Sequence, residues 1–295
     1  MTPRPAPDQP THGSVASGPW PPPAGPSVGW HEQSGRHRYF DGWRWSDEPR
    51  GDTRSPVPVL GIPAAVSAVA VMLASLVAAQ IVVVLLEPLD LPLAFLVGLL
   101  VLVGYGPPAV WSVRLARRAA GPSGAAAAVL GWGWRWSDLG WGALVWLGAI
   151  VAQVVVVVAL ESAGVPMSSN TEGLDGSSPT GYLVATALAA VIAAPLVEEL
   201  VFRGVLQRAL IGRLGVVSAV TVQAVVFGAV HADPTFGSGN VGLVLVLTMV
   251  GAAFGVGAHL TGRLGTSIVA HAIFNSVVLV IVLSGSADGA ALLIR

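Results

Sequence analysis

The chain contains no cysteine and no lysine. The first absence excludes disulfides, thiolate metal ligands and a cysteine nucleophile together. The second leaves arginine at all fifteen strongly basic positions. Charge of either sign is scarce, at 11% of residues, where soluble domains carry about 25%. The formal net charge of −1 singles out no partner, and nothing else in the sequence points to nucleic acid. What is plentiful is apolar: 54% of the residues, with a mean hydropathy of +0.72. Such a chain is an integral membrane protein, and its bias to Ala, Gly, Val, Pro and Arg suggests a GC-rich bacterial genome. No signal peptide is visible, because the first ~55 residues are polar and rich in Pro, Gly and Trp.

Residues 1–28 read as a disordered Pro-rich tail, with few apolar side chains and no period. Residues 29–50 read as a small Trp-rich β module, its aromatic and β-forming residues flanking the turn signals Ser34-Gly35 and Asp41-Gly42. Seven later stretches each supply about 20 apolar residues, enough to cross a bilayer as a helix. They lie near 58–86, 91–111, 140–162, 181–201, 214–232, 240–260 and 265–284. The expected fold class is an all-α, polytopic membrane helical bundle with a small soluble N-terminal tail. Residues 58–137 are expected to form an accessory transmembrane hairpin and cytoplasmic loop, and 138–284 a core.

Arginine placement orients the bundle. With a cytoplasmic N-terminus, fourteen arginines, from Arg4 to Arg263, fall on inside segments and only Arg295 falls outside. The outer loop 163–180 carries Glu172 and Asp175 and no base. That asymmetry follows the positive-inside rule and predicts a multi-pass cell-membrane protein with its N-terminus in the cytoplasm and its C-terminus outside.

Against this background, Glu198 and Glu199 are out of place. A carboxylate at membrane depth costs upward of roughly 2.5–3.5 kcal/mol, so two in a row need partners. Glu199 and Arg203 are spaced i, i+4 with the acid first, the favourable order for a helical ion pair. Glu198 points about 100° away and finds no partner on its own helix. A desolvated carboxylate suits a general base. The natural turn between the fourth and fifth spans is Gly212-Arg213-Leu214-Gly215. Glu198 lies sixteen residues before Leu214 and His231 seventeen after it. In an antiparallel hairpin both sit about 24–25 Å from the turn. Phe227, one turn before His231, shares its face. His271 and Asn275 are again i, i+4 on the seventh span. For these residues to share one level, the hairpin turn must project ~15 Å beyond the start of that span.

The strings Glu198-Glu199-x-x-x-Arg203, Phe227-x-x-x-His231 and His271-x-x-x-Asn275 resemble the three motifs of the CPBP (CAAX protease and bacteriocin-processing, or Abi) intramembrane proteases. Asp138-Leu139-Gly140 resembles the segment that often precedes their catalytic half, and the likeness covers roughly 138–284. The Trp-rich stretch resembles a short actinobacterial module of unknown function. The first resemblance implies an endopeptidase acting on a peptide or membrane-protein substrate. Glu198 would activate water with help from His231. His271 and Asn275 would stabilise the oxyanion, and Glu199, Arg203 and Phe227 would support them. No cofactor is required on that reading. The alternative is a divalent metal such as zinc held by Glu198, His231 and His271, a three-ligand set with an open position. Two other functions compete: a non-catalytic immunity or scaffold protein, and a proton-coupled transporter, which intramembrane Glu and His also build. The sequence names neither the substrate nor the oligomeric state.

Overall fold

The structure, a computed structural model, describes residues 29–33, 36–40, 60–121, 126–169, 171, 174 and 176–284. The tail at 1–28, the two turns expected in the Trp-rich stretch, and Glu172, Asp175 and Arg295 lie outside those residues. Within 29–50, β1 (Gly29–Gln33) and β2 (Arg36–Phe40) pair antiparallel, with Trp30 opposite Tyr39. The other regular elements among the described residues are helical.

A first pair, α1 (Ile62–Leu86) and α2 (Leu93–Ala120), is followed by the short α3 (Ala126–Leu130) and by α4 (Ser137–Ser162). One helical run then carries α5 (Thr180–Leu188), α6 (Ala194–Glu199) and α7 (Arg208–Ala229). The bundle closes with α8 (Asn240–Thr261) and α9 (Leu264–Leu283). Among the described residues six helical runs are long and apolar enough to cross a membrane, Thr180–Ala229 counting as one of them. The chain is a helical membrane bundle.

That fourth run contains two of the seven expected spans. Gly215 adopts φ 75° and ψ 173°, a left-handed conformation that glycine enters without a Cβ penalty, and the helix doubles back there. Arg203 and Gln223 donate to the same carbonyl, Gly251 O, at 2.8 and 2.9 Å. A straight helix would separate two residues twenty positions apart by about 30 Å. The return arm is short. It ends at Ala229, so His231 stands in the closing turn, where the sequence suggested a span continuing to 232.

Small residues bring the helices together. α1 buries Ala65, Ala68, Ser75 and Ala79, and α2 buries Gly104, Pro108, Ser112, Ala116 and Ala120, every fourth residue. In lipid, where the hydrophobic effect does not drive helices together, close backbone approach and dispersion do. Trp111 Nε1 donates to Ser67 Oγ at 3.0 Å and fixes α2 against α1. At the start of α4, buried Asp138 accepts from Arg135 N at 2.7 Å, Arg263 Nη2 at 2.5 Å and Thr266 Oγ1 at 2.8 Å. This ties α4 to the α8–α9 corner. A Cβ on Gly204 would lie 3.2 Å from Leu264 Cδ1, so α9 begins level with Gly204. The turn at Gly215 therefore extends about eleven residues, roughly 16 Å, beyond it.

Candidate active site

Glu198 and Glu199 lie on α6, between two π-helical segments, Ala189–Ala193 and Leu200–Gln207. Wide turns of this kind are rare and recur at functional sites. The first has a readable cause. In the i→i+5 pattern Ala194 N donates to Ala189 O, and the next donor in register would be residue 195, a proline with no N–H. Ala190 O is left free, and Asn275 Nδ2 donates to it at 2.6 Å. Asn275 thus already holds the segment leading to the glutamates, a role its motif spacing did not announce.

Glu199 and Arg203 pair at 2.8 Å with both side chains fully buried. Arg203 Nη2 also donates to Gly251 O, and its guanidinium lies 4.5 Å over the Phe227 ring. Glu199 serves a second partner that spacing did not reveal. Its Oε1 accepts from His271 Nδ1 at 3.0 Å. His231 Nδ1 donates to Phe227 O at 2.7 Å. With each Nδ1 hydrogen committed, Nε2 is a lone pair on a neutral ring and a donor on an imidazolium. Both Nε2 atoms stand 3.9 Å from Glu198 Oε2. That oxygen is buried and has no hydrogen-bond partner of its own.

Phe227 spaces these groups. Its ring meets Phe202 edge-on at 5.2 Å, His231 at 4.8 Å and His271 at 5.9 Å. Beyond His231 the chain is clamped: Asp233 N donates to Asn240 Oδ1 at 2.8 Å, and Asn240 Nδ2 to Asp233 O at 2.6 Å. The Asp233 carboxyl also accepts from the Thr235 hydroxyl and amide, which hold it below the usual carboxylate range.

Residues 180–277 match the family model described as Type II CAAX prenyl endopeptidase Rce1-like. Over that stretch the chain is similar to the CAAX proteases. No curated protein and no solved structure matches the chain. The matched segment runs from α5 into α9 and includes Glu198, Glu199, Arg203, Phe227, His231, His271 and Asn275. The chain is a multi-pass membrane protein with this CAAX-protease-like segment.

A cavity of about 470 Å³ is lined by Glu198, His231, His271 and Asn275. One of its walls comes from outside the matched segment. Val97, Leu100, Val101 and Tyr105 of α2 line it, and Tyr105 Oη donates to Glu198 Oε1 at 2.8 Å. Sequence reasoning missed Tyr105. The available signal was a tyrosine in the middle of an apolar span, bracketed by Gly104 and Gly106 and followed by Pro107-Pro108. Gln207 and Gln223 were missed as well. Both are buried and donate to carbonyls of α8, Gly255 O at 2.9 Å and Gly251 O at 2.9 Å.

Chemically, one carboxylate oxygen and two imidazole lone pairs suit a zinc ion, but their spacing does not. At bond lengths of about 2.0–2.1 Å a tetrahedral ion holds its ligand atoms roughly 3.4 Å apart. Gaps of 3.9 Å would open those angles to roughly 140°. Among the described residues no group of three or more His, Asp or Glu is placed to hold a metal. The same gaps suit a single water, whose hydrogen bonds of about 2.8 Å span them comfortably.

Proposed function

We propose that this protein is an intramembrane endopeptidase that hydrolyses a peptide bond in or next to the bilayer, with Glu198 as the base that activates water. One observation carries the reading. Glu198 Oε2, buried and unpartnered, faces the Nε2 atoms of His231 and His271 at 3.9 Å each, beside a cavity large enough for a peptide segment.

The water donates one hydrogen to Glu198 Oε2 and the other to His231 Nε2, which aims its lone pair into the cavity. As its oxygen attacks the scissile carbonyl carbon, Glu198 takes the proton. The oxyanion that develops is met by His271 and by the Asn275 N–H not spent on Ala190. To donate from Nε2 while Nδ1 donates to Glu199, His271 must be imidazolium, and the Glu199 carboxylate supports that charge. Glu198 then passes its proton to the leaving amine nitrogen as the C–N bond breaks. The substrate is a peptide or membrane-protein segment, and no step requires a metal.

The test is cleavage of a peptide pool by the full-length protein in proteoliposomes, read by mass spectrometry. Wild type should cut with a chelator present. Glu198→Gln and His231→Ala should lower the rate by at least about 10²-fold, the scale of losing general-base assistance. Undiminished cleavage by Glu198→Gln would refute the proposal, and zinc-restorable loss of activity on chelation would replace its metal-free chemistry.

A further inference from the structure

The two oxygens of Glu198 are unequal, and the inequality originates outside the CAAX-protease-like segment. Oε1 accepts the Tyr105 hydroxyl at 2.8 Å. Oε2 has no partner and faces both imidazoles. We infer that Tyr105 is a positioning residue of the hydrolytic site: its hydroxyl holds Oε1 and thereby presents Oε2 to the attacking water. The inference rests on the hydrolase reading above.

The physical need is plain. The terminal torsion of a glutamate is broad and close to two-fold, so an untethered carboxylate turns and offers either oxygen, or neither, in line with the water. Misplacement of a reacting group by about 1 Å can cost on the order of 10²-fold in rate. His231 and His271 do not supply the tether, because both stand at 3.9 Å from the other oxygen. Tyr105 does, and its own position is fixed. One residue before it, Gly104 packs on α1, where an added Cβ would touch Leu76 and Ala79 at 3.5 and 3.6 Å. Six residues after it, Trp111 is bonded to Ser67. α1 also packs against the buried π-helical segment Leu200–Gln207 that follows the glutamates. The first helix pair is thus a working part of the site as well as a membrane element.

Tyr105→Phe in the full-length protein keeps the ring and removes the hydroxyl. In proteoliposomes kcat should fall roughly 10- to 100-fold, with KM and melting temperature unchanged. A kcat within about twofold of wild type, or a loss shared with KM and melting temperature, would overturn the inference. Infrared spectroscopy supplies a readout that needs no substrate. The carboxyl band that disappears in Glu198→Gln should shift in Tyr105→Phe, and an unmoved band overturns the inference. If wild type cleaves no peptide while the band shifts, the hydrolase reading fails and takes the positioning role with it, leaving only the bond.

Discussion

Glu198 and Glu199 are one peptide bond apart and meet different surroundings. Glu199 is enclosed by Arg203 and His271, while Glu198 keeps one oxygen for Tyr105 and leaves the other buried without a partner. Burying the Glu199–Arg203 pair is tolerable only while both charges are present. Removing one partner should cost about 3–5 kcal/mol, because the other charge is left uncompensated. Arg203→Met and Glu199→Gln are each expected to lower the unfolding free energy by that order in detergent. The double variant should lose less than the two losses added together; simple additivity would mean the pair is not coupled. Helical spacing made the Glu199–Arg203 bond legible, since i, i+4 geometry needs only the local helix. Counting outward from the turn also put Glu198 and His231 at one level. The His271–Glu199 and Tyr105–Glu198 bonds were not legible. They depend on how separate helices rotate against one another, which no single-helix period encodes.

The apolar runs declared the helices, but not what happens inside them. The segment Ala189–Ala193 widens just before Pro195, and Asn275 on another helix donates to the carbonyl set free. The proline was visible in the sequence and its remedy was not. Glycines mark where helices touch most closely. A Cβ on Gly228 would lie 2.5 Å from Val244 O and 2.5 Å from Thr248 Oγ1. A backbone oxygen cannot swing aside, so α7 would have to lift off α8 and carry His231, three residues on, with it. Gly228→Ala should therefore cost about 1–3 kcal/mol in stability and most of the cleavage rate. Gly148→Ala is the control. Nothing lies within 4 Å of its Cβ, it is exposed on α4, and melting curves and rates should match wild type.

At the scale of the molecule, hydropathy alone supported a helical membrane bundle, and arginine distribution supplies its expected orientation. The absence of native cysteine makes that orientation easy to test with single introduced thiols. Thr53→Cys should react with an impermeant maleimide only in inverted vesicles, and Ser177→Cys only in intact cells; the reverse pattern would invert the assigned topology. What hydropathy could not show is that α2, packed on α1, walls the cavity of a segment that begins sixty residues after α2 ends. That link joins the motif residues to a cavity wall and gives Glu198 a defined geometry. The claim at the centre is that Glu198 directs water at a peptide carbonyl. The most direct measurement is cleavage in ¹⁸O-labelled water, with mass spectrometry of the N-terminal fragment. Wild type should place one ¹⁸O in the new carboxyl group, and Glu198→Gln should yield essentially no labelled fragment. Labelled product from Glu198→Gln at the wild-type rate would contradict the account.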